Sequence, residues 1–270
     1  MEKSGDQNHQ IGGLNGQQTM TTQEPFDYLE GDSFSFACHP GVSCFTECCR
    51  DLNLVLTPYD ILRLKKSLGL TSSDLLDQFT IIKPNEHNGF PAVCLKMKDD
   101  ERRTCPFVTP AGCSIYADRP GACRIYPLGR ASSRTKGQEG AREFYFVVRE
   151  SHCQGFREPR SWTTAAWSQD QGLTPYTFYN DLWTEIITCK GTLPSPEAAA
   201  QKLQMFFMAS YNLDQFRQFV FKSTFLKRFV IPEETVGKVE GDEEELLKLA
   251  FQWLKFVLFG EKVFPLRQEG

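Results

Sequence analysis

Apolar residues recur at helical spacing in several stretches of the chain. Ile61, Leu62, Leu64 and Leu68 make one face of a helix. Thr57-Pro58-Tyr59-Asp60 ahead of them is a helix start, with a capping hydroxyl, a proline suited to the first turn and a carboxylate near the positive end of the dipole. Gly69 ends that helix, and Thr71 with Asp74 begins a second one carrying Leu75, Leu76 and Phe79. The stretches from Phe90 to Met97 and from Glu143 to Arg149 are rich in β-branched or aromatic residues and predict two strands of a small antiparallel sheet. Further on, Ser195-Pro196-Glu197 starts a helix, and Asn212 divides it from another carrying Leu213, Phe216, Val220, Phe225 and Phe229. Asp242-Glu243-Glu244-Glu245 places negative charge on the first turn of a last helix. The eleven Phe after residue 200 fall at helical spacing, as core residues do. The predicted fold class is mainly α with a small antiparallel β-sheet, and with an irregular cysteine-rich metal-binding region packed against helices.

Three regions follow: a disordered N-terminal arm (1–30), a cysteine-bearing region (31–160) and an aromatic-rich helical region (161–270). The first 25 residues, rich in Gln, Gly, Asn and Thr, lack the apolar run of a secretion signal. With 270 residues and 40% hydrophobic content, the chain can bury a substantial core without a disulfide scaffold. A net charge of −4 argues against a general nucleic-acid binder. The helix-turn-helix look of residues 57–79 does not change this, because Ser72-Ser73-Asp74-Leu75-Leu76-Asp77-Gln78-Phe79 offers no cation to phosphates or base edges. Leu246 to Phe259 is too short and too interrupted to span a bilayer. The expected location is the cytoplasm, where ten cysteines are more readily ligands, reactive thiols or core residues than disulfides. No internal repeat and no glycine-rich phosphate loop is present.

Candidate chemistry concentrates in the cysteines. Cys38-x5-Cys44-x3-Cys48-Cys49 supplies four thiols within twelve residues, followed by Cys105, Cys113, Cys123 and Cys153. Thiolates gathered in this way hold a metal ion or an iron–sulfur cluster. Adjacent side chains diverge by roughly 100° in a helix and point to opposite faces in a strand. Cys48 and Cys49 are therefore poorly placed to serve one tetrahedral ion. Six to eight thiols exceed the four that zinc takes, which favours an iron–sulfur cluster or two metal sites. Arg119 and Arg124 can offset thiolate charge or hold an anionic ligand through paired donors, or else bridge surface carboxylates such as Asp118.

The segment Cys105-Pro106-Phe107, Gly112-Cys113-Ser114-Ile115-Tyr116, Arg119-Pro120-Gly121-Ala122-Cys123-Arg124-Ile125-Tyr126-Pro127, following the Cys48-Cys49 pair, resembles the YkgJ-like cysteine-cluster family of zinc- or iron-chelating domains. The resemblance covers about residues 36 to 156. It implies metal binding by Cys44, Cys48, Cys49, Cys105, Cys113 and Cys123; the first motif departs from the family's CxxCxxCC spacing at Cys38-x5-Cys44-x3-Cys48-Cys49, so Cys38 is a candidate ligand outside that match. Flagellin lysine methylases look like distant relatives of that family, so methyl transfer to a protein lysine is a permitted activity.

Beyond the resemblance, Cys153 is a candidate final ligand, while Cys94 and Cys189 are expected in the core. His39 and His152 lie beside candidate ligands without joining them. Three functions compete: a metal-binding protein whose thiolate centre supports redox or group-transfer chemistry, a structural zinc module whose helical region binds a protein partner, and a lysine methylase-like enzyme. The cofactor is an iron–sulfur cluster or zinc, with no nucleic-acid partner and no membrane span.

Overall fold

The computed structural model describes residues 26–29, 31–84, 89–133, 142–189 and 196–267. Two three-residue strands, β1 (Phe26–Tyr28) and β2 (Ser33–Ser35), precede a 3-10 turn at Glu47–Cys49. Next come α1 (Pro58–Leu68), α2 (Ser72–Phe79), β3 (Thr80–Lys83) and β4 (Ala92–Leu95). A tight hairpin of β5 (Val108–Thr109) and β6 (Gly112–Cys113) leads to the short α3 (Gly121–Ile125). The long strands β7 (Leu128–Ser133) and β8 (Arg142–Val148) are followed by β9 (Ser161–Thr163). Helices complete the chain: α4 (Thr164–Asp170), α5 (Thr174–Ile187), α6 (Pro196–Tyr211), α7 (Leu213–Lys222), α8 (Phe225–Arg228), α9 (Glu233–Gly241) and α10 (Glu243–Phe259). The fold is mainly α with small antiparallel sheets.

The helix ends follow their local chemistry. The Thr57 hydroxyl accepts from the Asp60 amide while the Asp60 carboxylate accepts from the Thr57 amide at 2.8 Å, a reciprocal capping box. Gly69 closes α1 at φ 64°, a left-handed conformation that costs glycine no Cβ clash. Asn212 caps α7 through the Gln215 amide, and Asp242 caps α10 through the Glu244 amide.

Sheet pairing departs from expectation. The two predicted strands do not join each other: β4 pairs with β3, and β8 lies between β1 and β7. β3–β4 and β7–β8 are local hairpins, which short loops close at low entropic cost, whereas the other edge of β8 is taken by the distant β1. The end of the presumed disordered arm is also ordered, since Phe26↔Val148 and Tyr28↔Phe146 align β1 on β8; the rest of that arm, apart from Leu29, lies outside the described residues. The helix read from Leu213 through Phe229 is two, because α7 stops at Lys222 and α8 begins at Phe225. The apolar stripe nevertheless carries across the break, and Phe225 and Phe229 are both buried.

The main core draws on residues before and after position 160: Leu56, Leu62, Leu64 and Leu75 pack with Trp183, Phe206, Phe216, Phe225 and Leu246. Phe216 is fully buried within it. A smaller second core holds Phe34, Phe36, Leu128, Val147 and Trp167. Lys65 is buried at the main core's edge, its ammonium 2.8 Å from Asp214 and 2.6 Å from Glu243, so that α1 is tied to α7 and α10 by a charge that could not be buried alone. Burial pushes the Asp214 carboxyl up, but the Lys65 ammonium and the Ser72 amide outweigh it and hold the group below its ordinary value of 3.8.

Two outcomes follow for stability. Phe216→Ala, which leaves a cavity where nothing can collapse freely, should cost roughly 3–5 kcal/mol in urea unfolding. Because the folded-state pKa of Asp214 is depressed, its contribution is fully present above the unfolded value of 3.8 and is lost as pH falls through the lower folded value. The stability gap between wild type and Asp214→Asn should be constant near neutral pH and should narrow in acid.

Candidate metal centre

Three segments bring the thiols together, and the backbone bends sharply to do so. The 3-10 turn that carries Cys48 and Cys49 is bracketed by Thr46 at φ 68° and Asp51 at φ 48°, while Arg103 at φ 45° precedes Cys105. Among the described residues these are the non-glycine positions of positive φ. A left-handed β-branched residue such as Thr46 carries a strain of about 1–3 kcal/mol. What it secures is a short antiparallel ladder: Cys105 N–H donates to the Cys49 carbonyl at 2.9 Å, Asp51 N–H donates to the Arg103 carbonyl at 3.0 Å, and Arg50 bridges Thr104. The chain then turns through the β5–β6 hairpin, where Cys113 faces Val108 and Gly112 takes φ 116°.

On the other side, Ala37 N–H donates to the Gly155 carbonyl at 3.1 Å, which lays the segment leading to Cys38 against the 153–155 turn. Only glycine fits at 155, because a Cβ there would come within 2.7 Å of the Ala37 carbonyl oxygen. The neighbouring amide of Gln154 donates to the Cys44 sulfur at 3.1 Å. Burial raises the Cys153 thiol, partly offset by the Tyr126 hydroxyl and the Gly155 amide nearby, and the Cys44 charge adds to the rise. Phe107 and Val108 amides play the same part at Cys105. Amides aimed at sulfur form the supporting shell that tunes a thiolate as a ligand.

Several of the thiols sense one another's charge. Burial, and then the charges of Cys48, Cys44 and Cys153, push Cys38 up to about 11. Cys123 is exposed at the start of α3, and desolvation, then Cys105, Asp60, Cys113 and Cys48, push its thiol up to about 12. Burial dominates the upward shifts of Cys105 and Cys153. Interaction with the Cys49 thiol, opposed by burial, lowers Cys48 to about 7, and the same interaction raises Cys49. Among the described residues, no three Cys, His, Asp or Glu side chains are closed into a coordination shell. The donor set nonetheless fits a thiophilic metal, since neighbouring thiols that resist ionisation together present the field a multivalent cation relieves.

The arginines brace this region. Arg119 and Arg124 are both buried. Arg119 donates to the Tyr116 carbonyl and the Gln171 side chain, and its charge interacts with Cys123 and Cys113. Arg124 donates to the carbonyls of Gln171 and Ala117, with its Nε buried and unpaired. Asp118 pairs with Arg63 instead of either. His39 accepts the Gly41 amide at Nδ1 and meets Glu158 through Nε2, so both ring nitrogens have protein partners. Cys94 is buried in β4 as expected, but Cys189, expected in the core, is exposed just past α5.

Asp60 gave no site signal in the sequence beyond its capping role. Completely enclosed, it accepts the Gly121 amide at 2.8 Å and so fixes the start of α3, two residues before Cys123. Tyr126, whose hydroxyl is buried beside Cys153, and Gln171, which receives Arg119, were equally silent. The Arg-Ile-Tyr-Pro run was the one visible hint of Tyr126.

Residues 37–154 match the family model CxxCxxCC, described as "Putative zinc- or iron-chelating domain". The match falls on the segment whose motifs predicted a metal-chelating family, and it covers under half of the chain. No curated protein and no solved structure matches the chain.

Cys123→Ser should lower both the metal content of the purified protein and its melting temperature, because binding and folding are coupled. Cys189→Ser should change neither, and elemental analysis beside a thermal melt of the two variants checks the contrast.

Proposed function

We propose that this protein binds metal through its cysteine thiolates, with an iron–sulfur cluster as the leading occupant, and that the centre supports redox or group-transfer chemistry. What supports this is the match of residues 37–154 to a zinc- or iron-chelating family model, together with the Gln154 amide directed at the Cys44 sulfur at 3.1 Å and the charge couplings among thiols of 38–49, 105–123 and 153. Cys38, Cys44, Cys48, Cys49, Cys105, Cys113, Cys123 and Cys153 would hold the metal. Eight sulfur donors exceed the need of one structural zinc ion. An iron–sulfur cluster, when bound, supplies one-electron chemistry.

The chain's own residues would hold and tune such a centre. Arg119 offsets negative charge beside Cys113 and Cys123. The Tyr126 hydroxyl supports the Cys153 thiolate. Asp60 and Gln171 hold α3 and the arginines in place.

Structural zinc is the second function, favoured by the brevity of the elements around the thiols. Two-residue strands β5 and β6 and the 3-10 turn bury little of their own, so a metal would replace missing core there. The helical surface would then be a place for a protein partner. Among the described residues no helix is long and apolar enough to cross a membrane.

Protein purified without oxygen should be brown and carry iron and acid-labile sulfide; a colourless, zinc-loaded protein would instead favour the structural role. Removal of the metal by a chelator should lower the melting temperature in either case. A metal-free protein with an unchanged melt would overturn both.

A further inference from the structure

Among the described residues, the β3–β4 sheet has no strand against the outer edge of β3. We propose that this edge docks a short extended peptide of a partner protein, which adds to β3 as a further strand and brings a Lys or Arg side chain to Asp77. The inference goes beyond metal binding and is independent of what the cysteines hold.

Backbone parity identifies the groups that β3 offers. On the far side of β4, the Leu56 amide donates to the Val93 carbonyl and the Leu95 amide donates to the Leu54 carbonyl, both at 2.8 Å. Val93 and Leu95 thus turn their backbone groups toward residues 54–56, and Ala92, Cys94 and Lys96 turn theirs toward β3. The Lys96 amide, which donates to the Phe79 carbonyl at 2.8 Å, follows this rule. The register sets Ile81 opposite Cys94 and Lys83 opposite Ala92, so Thr80 and Ile82 point their backbone groups away from the sheet. The Thr80 amide is used by the Leu76 carbonyl at the end of α2. That leaves the Thr80 carbonyl and both the N–H and the carbonyl of Ile82, and among the described residues no hydrogen bond reaches these three.

A groove runs beside the same two residues. Its volume is about 540 Å³, and Thr80 and Ile82 line it together with Leu76 and Asp77 of α2, Phe207 of α6 and Gln215 of α7. Ile82 is 58% exposed, so an apolar side chain laid along the groove would cover it. Asp77 is the one charged residue of the lining, it is exposed, and among the described residues its carboxylate has no ion pair. Lys83, the cation within β3 itself, alternates to the other face of the strand and donates to Asn53 at 2.6 Å, so it does not cancel that charge.

These features together select the occupant. A donor and two acceptors along a strand edge match the main chain of an extended peptide, which gains affinity from backbone hydrogen bonds and specificity from its alternate side chains. Because β3 has four residues, the peptide paired with it is short. The uncompensated Asp77 favours a cationic side chain and disfavours an acidic or phosphorylated one.

The probe is the peptide acetyl-Val-Lys-Val-Lys-Val-amide, added to full-length protein labelled with nitrogen-15. At saturation the hydrogen exchange of the Ile82 amide should slow by about tenfold or more. The same peptide with alternate backbone nitrogens methylated should fail to bind, and the peptide with Glu for Lys should bind more weakly. Asp77→Asn should weaken the Lys peptide by roughly two- to fivefold, the worth of an exposed ion pair, and leave a peptide with Thr for Lys unaffected. Ile82→Pro, which removes an outward N–H that no ladder bond uses, should abolish binding. Unchanged exchange at Ile82, equal binding of the methylated peptide, or equal affinity in Asp77→Asn would overturn the proposal. Self-association of the protein that is lost in Ile82→Pro would assign the edge to a second copy of the chain and overturn it as well. The exchange and methylation arms use the unaltered protein, so a variant that fails to fold does not shield the proposal.

Discussion

Mutual repulsion among thiolates is the constraint on which this part of the molecule depends. Sulfurs that would each carry charge are crowded by three stretches of chain, and several of them accordingly resist ionisation through burial and through one another. Such crowding is unfavourable unless something positive compensates for it. Arg119 supplies one fixed cation, amides at Cys44, Cys105 and Cys153 supply dipoles, and a multivalent metal would supply the remainder.

Holding these sulfurs together falls to residues that never touch a metal. Asp60 belongs to the capping box of α1, yet its second carboxylate oxygen holds the first amide of α3, so one buried carboxylate couples a helix of the main core to the Cys123 segment. Arg124 and Arg119 converge on Gln171 between α4 and α5, joining the cysteine region to the helices that follow it. Local strain at Thr46 is tolerated because the ladder from Cys49 to Asp51 against Arg103 to Cys105 over-determines the turn.

The aromatic-rich helices act as a rigid backing. Phe206, Phe216, Phe225 and Phe251 are buried with Tyr59 and Leu62 from α1, so the helix next to the site is set by packing with residues nearly 200 positions away. Lys65 adds direction to that contact, because burying its ammonium is tolerable only where Asp214 and Glu243 both reach it. Close packing of this kind transmits position to α1 and, through Asp60, to α3.

Much of this was legible in the chain itself. Helix starts at Thr57, Asn212 and Asp242 are short-range chemistry, a side-chain oxygen meeting amides two or three residues on, and they stand where the residues put them. Cysteine spacing likewise singled out the segment that the zinc- or iron-chelating family model matches, since ligand type is a property of side chains alone. Strand partners were not legible: Phe90–Met97 and Glu143–Arg149 announced strands but not which edges they would join, because pairing is settled by loop closure and by competition among edges. The company each sulfur keeps was equally hidden. That the Cys49 carbonyl takes the Cys105 amide, that the Gln154 amide meets the Cys44 sulfur, and that an enclosed Asp60 fixes the start of the helix bearing Cys123, depend on contacts between segments far apart in sequence, which only tertiary packing could decide.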